Sequence, residues 1–375
     1  MEYFQSISTL GLRLLKSPSR EAAQAGRVHA DFSEGKVFPI LSDRRQRVLC
    51  ALIEEYIRHA MPVGSRTLTE RYSLGVSSAT VRNDLSALEE GGFIFQPHTS
   101  AGRVPTDFGY RAFVDDLLEN DLLQEENPYP EVVSQLRQRA HELDELMEQT
   151  SEALMRLTNC LSIVVAPSLL SARIRQISLI SLSPRRVLLV VVSQDGEVLN
   201  RQIGFEEDVD AQDLAKVQNL MNMTFSGKTI DDMGTGAQED MFASVHNPLF
   251  QVLLEELIVC VRESDDGRSR RTGLSSLMAM PEFSSSSSLM PLMRLMEHED
   301  VLWSALDGAE GEDDQCLVRI GTENPVPELS DVSVVAGRYG RGESAGIVAV
   351  IGPTRMDYGS VIRAVRAAQQ ALADG

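Results

Sequence analysis

The chain has few cysteines, and none stand close together. Cys50, Cys160, Cys260 and Cys316 are the only four in 375 residues, and no C-x-x-C occurs. Such spacing argues against a zinc site or a disulfide framework and for reduced, mostly buried thiols. Long apolar runs are missing too. Val187-Leu-Leu-Val-Val-Val192 has the length of a buried strand, well short of the ~20 apolar residues that span a bilayer. The first residues lack a signal-peptide pattern, because Gly11-Leu-Arg-Leu-Leu15 is short and broken by Arg13. A cytoplasmic protein with no membrane partner is expected. His29, His59, His98, His141, His246 and His298 are scattered without triad or metal spacing. Carboxylate pairs such as Glu206-Glu207 and Asp231-Asp232 read as solvated charge. The segment Gly352 to Tyr358 lacks the G-K-S/T ending of a phosphate loop and the G-x-G-x-x-G of a dinucleotide site. Together these absences argue against an enzyme, a bound metal and a cofactor.

What is present is a strong acidic excess, a formal net charge of −20. That excludes a protein coated by nucleic acid over its whole surface. The acidity lies mainly downstream. Residues Leu41 to Leu118 hold nine arginines and no lysine against ten carboxylates. The length predicts two or three domains.

Residues 1–40 are weakly periodic and read as a mostly disordered extension. Apolar residues Val48, Leu49, Leu52, Ile53, Tyr56 and Ile57 recur at helical spacing, predicting a helix from Ser42 or Asp43 to about Ala60. Ser65 is expected to cap a short helix to Tyr72. Ser77 or Ser78 caps the next, which Gly91-Gly92 stops after Glu90. Phe93-Ile-Phe95 and Arg103-Val-Pro105 predict a hairpin, and Asp107 a capped helix to Leu118. Glu131 to Asn159 reads as one long amphipathic helix. Strands are predicted at 162–166, 174–182, 186–192 and 198–203. Residues 208 to about 306 read as helical and Met-rich, with an acidic, glycine-rich loop at 231–240 and a serine loop at Ser284 to Ser288. Strands return at 316–320, 332–336 and 347–351, before a last helix, Tyr358 to Ala373. Strands, then helices, then strands fit an α+β domain with a helical insertion.

The order of helix, turn, helix and hairpin within 65–105 suggests a winged helix-turn-helix, in which one helix enters the DNA major groove. On the helix after Ser77, the small hydroxyls Ser77, Ser78 and Thr80 suit close approach to phosphates, and its free N–H groups favour them. Arg82 and Asn83 project away from Val81 and Leu85, as guanine and adenine readers would. Arg66 and Thr67 are placed to hold the backbone. In the loop Gln96 to Arg103, Gly102 permits close approach, and His98, Thr99 and Arg103 complete the candidate DNA-binding set. Exposed polar residues on any helical hairpin also serve as plain solvated surface. Gly352-Pro-Thr-Arg-Met-Asp-Tyr358 could be an anion loop through Thr354 and Arg355. A structural turn capped by Asp357 is the preferred reading.

The runs P-V-G-S-R-T-L at 62–68, G-V-S-S-A-T-V-R-N at 75–83 and Q-P-H-T-S-A-G-R-V-P-T at 96–106 closely resemble the HrcA family of bacterial heat-inducible transcription repressors. G-T-E-N at 321–324, G-P-T-R-M-D-Y at 352–358 and Pro281-Glu-Phe283 resemble its second signature. The resemblance runs from about Leu41 to the C-terminus. It implies a repressor of chaperone operons that binds an inverted-repeat operator in double-stranded DNA as a homodimer. It also implies support by a GroE-type chaperonin, which heat draws away to unfolded clients. The implied architecture is a winged helix at 41–120, a GAF-like α+β domain at 121–207 and 307–375, and an inserted dimerisation domain at 208–306. A GAF-like fold would also admit a ligand sensor, although no polar cluster announces a pocket.

Overall fold

The computed structural model describes residues 41–119, 129–139, 143–194, 196–230, 247–265, 268–297, 302, 305–306, 316–340 and 345–373. The expected 1–40 extension and the 231–240 loop lie outside them. The architecture is α+β, with eleven helices and ten strands among the described residues.

Residues 41–119 form a head. Helix α1 (Asp43–His59) buries Val48, Leu49, Leu52 and Ile53, the apolar stripe read from the sequence. It ends at Ala60 in the left-handed region (φ 52°). Helix α2 (Ser65–Arg71) is capped by Gly64 rather than by Ser65. The Ser65 hydroxyl lies 3.2 Å from that of Ser78 instead. Helix α3 (Ser78–Glu90) starts where the Ser77 hydroxyl accepts the Thr80 N–H at 3.2 Å. Gly92, at φ +78°, turns the chain out of it. Strands β1 (Ile94–Phe95) and β2 (Val104–Pro105) pair antiparallel. Helix α4 (Asp107–Glu119) is capped by Thr106, whose hydroxyl accepts the Gly109 N–H at 3.1 Å. The carboxylate of Asp107, expected to be the cap, points elsewhere.

The body is built on a five-stranded antiparallel sheet of order β7-β3-β10-β9-β8. Its strands are β3 (Leu161–Val165), β7 (Ser269–Thr272), β8 (Leu317–Ile320), β9 (Val332–Tyr339) and β10 (Gly346–Pro353). Every residue of β10 is buried, because both sheet faces are covered. One face takes α5 (Pro130–Arg139), α6 (Leu143–Thr158) and α11 (Tyr358–Ala373). The long helix expected over 131–159 is thus two described helices. The other face takes α9 (Leu274–Met278) and α10 (Ser286–Glu297), with Leu277, Phe283, Leu292 and Leu295 fully buried. The serine tract read as a loop instead opens α10, because Ser285 Oγ accepts the Ser288 N–H at 3.2 Å and starts the helix.

A separate unit interrupts the β3–β7 hairpin. Val165 pairs with Ser269, and the Ala166 N–H donates to the Arg268 carbonyl, so residues 166–268 leave and return at adjacent points. The unit contains β4 (Ile174–Ser183), β5 (Arg186–Ser193), β6 (Val198–Gly204), α7 (Ala211–Phe225) and α8 (Pro248–Asp265). They share their own core, from Leu169 to Val261. This corrects the expected 208–306 insertion. The strands at 174–204 make an independent three-stranded sheet, not part of the main one. Conversely, β7, α9 and α10 pack with the main sheet.

Candidate nucleic-acid interface

The candidate site is the outer side of α3 with the hairpin loop beside it. Val81, Leu85 and Leu88 are buried, which turns Arg82 and Asn83 outward. Neither side chain has a hydrogen bond or ion pair among the described residues, so both are free to meet a ligand. Ser77 and Thr80 hold one another's hydroxyls at 3.0 Å. Ser78 is spent on Ser65, fixing α2 against α3. Arg66 pairs with Glu70 at 2.7 Å on the surface, and Thr67 is half-buried beside it. Exposed pairs of this kind hold weakly, so Arg66 can exchange its partner.

His98 and Thr99 are exposed at the loop tip. Arg103 is not free. Its guanidinium donates to Glu89 Oε2 at 2.9 and 3.3 Å, while its backbone pairs in both directions with Val63. It therefore seats the hairpin against α3. Gly102 has a different role from the one expected. A Cβ there would lie 2.5 Å from the Val63 carbonyl carbon, so the close approach is to the chain's own backbone.

Sequence reasoning missed the support behind α3. Asp84 is 2% exposed and accepts Arg44 Nε at 2.8 Å and Nη2 at 2.9 Å, with Arg45 at 3.7 Å. The Arg44 hydrogen bond holds the Asp84 carboxyl below its usual range, against the opposing effect of burial. The partners lie forty positions apart, and no local pattern announces such a pair. On the same helix α1, burial pushes Glu54 up to about 7, opposed by Arg58 and assisted by Asp357.

Among the described residues no cluster of three His, Cys, Asp or Glu side chains could hold a metal, and no helix is long and apolar enough to cross a membrane. The four cysteines are free and buried.

Residues 144–362 match the family model of the HrcA protein C-terminal domain. The chain is 37% identical over 331 residues to the heat-inducible transcription repressor HrcA of Nocardioides sp., covering 87% of this chain and 96% of that protein. The chain belongs to the HrcA family. It is also 32% identical over 328 residues to the heat-inducible transcription repressor HrcA of Acetivibrio thermocellus, covering 87% and 93%. A solved structure described as a hypothetical protein aligns at a TM-score of 0.60 and 26% identity, over 89% of this chain and 98% of that one. The HrcA family comprises heat-inducible transcription repressors and not enzymes.

Proposed function

We propose that this protein is a sequence-specific DNA-binding repressor of heat-shock operons, acting as a homodimer on an inverted repeat near chaperone promoters. The observation that carries the reading is α3: two adjacent base-reading side chains, Arg82 and Asn83, exposed and unpartnered on a helix capped and braced from behind. Three helices followed by a hairpin support a winged helix-turn-helix over residues 41–120, with α3 in the major groove and the His98–Thr99 tip beside it. Free N–H groups at Ser78 and Ala79 suit phosphate oxygens. Arg66, Thr67, Ser77, Ser78 and Thr80 border the same surface, and Arg103 serves it by holding the loop. The near-neutral head places affinity in paired contacts rather than in a broad basic field.

The central sheet, covered by helices on both faces, supports a GAF-like body. The inserted unit over 166–268 supplies a surface for the dimer. Its sheet turns Val187, Leu189 and Val191 into the core and presents Leu188, Val190 and Val192 outward. Across the strands Ile180 faces Leu188, and Val198 faces Val192, on that same outer side. Ile180 is 48% and Val198 57% exposed. Gln176, Asn200 and Gln202 border this apolar patch, the usual layout of a self-complementary interface. Relief on heating follows if a chaperonin that supports the active repressor is drawn to unfolded clients.

Footprinting the purified full chain on DNA upstream of the host's chaperone operons, with and without chaperonin, tests the reading. A two-fold symmetric footprint strengthened by chaperonin is expected. Protection that shows no symmetry, or none at all, refutes it.

A further inference from the structure

The second signature lies far in sequence from the reading helix, yet it forms the surface that receives the head. Gly321, at φ +53°, lies so close to Asp107 that an added Cβ would be 2.3 Å from its carboxylate oxygen. That carboxylate accepts the Thr322 N–H at 3.0 Å and the Thr322 hydroxyl at 3.1 Å. Glu323 accepts Arg111 Nε at 2.8 Å and also the Ile320 N–H at 2.9 Å, which fixes its own position. Arg111 reaches the Val318 carbonyl as well, at 2.6 Å. Asn324 donates to the carbonyls of Gly321, Leu329 and Val332 and holds the turn in shape. Each residue of G-T-E-N thus either meets α4 or shapes the turn that does.

The 352–358 segment closes the other side. Arg355 pairs with Glu282 of Pro281-Glu-Phe283 and reaches the Ile57 carbonyl of α1 at 3.4 Å. Tyr358 is fully buried, with its ring 5.8 Å from that of Tyr110. Head and body share one apolar core there, running from Leu49 through Tyr110 and Val114 to Tyr358 and Val361.

We propose that these two signatures are a socket that clamps the head at one angle to the body, so that Asp107, Arg111, Thr322 and Glu323 set the half-site separation a dimer can read. This rests on the DNA-binding reading above. Two heads on flexible tethers would accept a range of separations, because effective concentration falls only slowly with reach. Two clamped heads accept one separation, since inserting half a helical turn carries the second half-site to the far side of the duplex. The four residues are positioning residues; none lies on the outer side of α3.

The experiment has one arm without DNA and one with it. Spin labels at Ser73→Cys in the head and Glu148→Cys in the body, both exposed positions, report the intrachain distance when labelled chain is diluted in unlabelled chain. The otherwise unaltered protein should give one narrow distribution. Arg111→Gln with Thr322→Val should broaden it, and Thr322→Val alone serves if the double variant fails to fold. For the second arm, the full chain selects a duplex from a randomised pool, and five base pairs are then inserted between the half-sites. The unaltered protein should lose about a hundredfold in affinity and the clamp variants less than about tenfold. A broad distance distribution in the unaltered protein, or an unchanged spacing penalty in the variants, overturns the clamp. Failure to enrich any inverted repeat overturns the DNA-binding reading instead, and the distance arm still decides the clamp.

Discussion

Glu54 shows how one buried carboxyl makes stability depend on pH. It lies on α1 facing the body, and burial raises its pKa to about 7, with Arg58 opposing and Asp357 adding to the rise. The unfolded chain would ionise it near the ordinary glutamate value. Between those two values the folded state binds more protons, so stability falls as pH rises through this window. The loss is complete above about pH 7 and amounts to about 3 kcal/mol at most. Glu54→Gln should match the parent protein near pH 4 and exceed it near pH 8 in urea unfolding. Equal stability at both values would mean that Glu54 stays ionised and solvated. Arg103 makes the opposite point about single residues. Its sequence position beside a glycine in a loop resembles a DNA contact, but only the folded chain brings Glu89 within 2.9 Å of it.

At the scale of elements, α3 carries the proposed reading surface and α1 braces it. Ser77 caps α3, and Asp84 ties it to Arg44 and Arg45. Burial of Val81, Leu85 and Leu88 then leaves one side for solvent. Arg82→Ala should therefore weaken specific operator binding by ~1–3 kcal/mol, the worth of one good bidentate base contact. Unchanged dimerisation in sedimentation and a lower affinity in gel shift are the expected pair of results. Unaltered affinity would show that α3 is not the reader. Nearly all of this element was legible beforehand, because apolar spacing, a serine cap and a double-glycine stop are local signals. The brace was not, since Arg44 and Asp84 lie on different helices. The last helix was equally legible: the stripe Val361, Ile362, Val365 and Ala368 is buried in α11, and Asp357 accepts the Ser360 N–H at 3.1 Å.

Across the whole molecule, three packed regions divide the work. The head and one sheet face share a core, the other sheet face has its own, and the unit at 166–268 has a third. The exposed patch around Ile180 and Val198 on that unit is where a second copy would add buried apolar surface at roughly 25 cal/mol per Å². Ile180→Asp with Val198→Asp should leave the protomer folded by circular dichroism and convert the dimer to a monomer in sedimentation velocity. A persistent dimer would move the contact elsewhere. The expected insertion fell at 208–306 because alternating strands at 174–204 look alike whether they join one sheet or start another. Periodicity reports which side of a strand is buried and is silent on which strand lies next to it.

The sequence by itself determined the helices of the head, the Ser77 cap and the outward side of α3, together with the family, which its motifs carry. Those features depend on residues within a few turns of one another. Tertiary structure alone decided where the insertion leaves the β3–β7 hairpin, and that Arg103 and Gly102 serve the hairpin itself. It also decided that G-T-E-N and G-P-T-R-M-D-Y, though more than two hundred residues beyond α4, close around it. Pairings at such range depend on strand partners and on which buried charge finds which partner, and only the folded chain settles these.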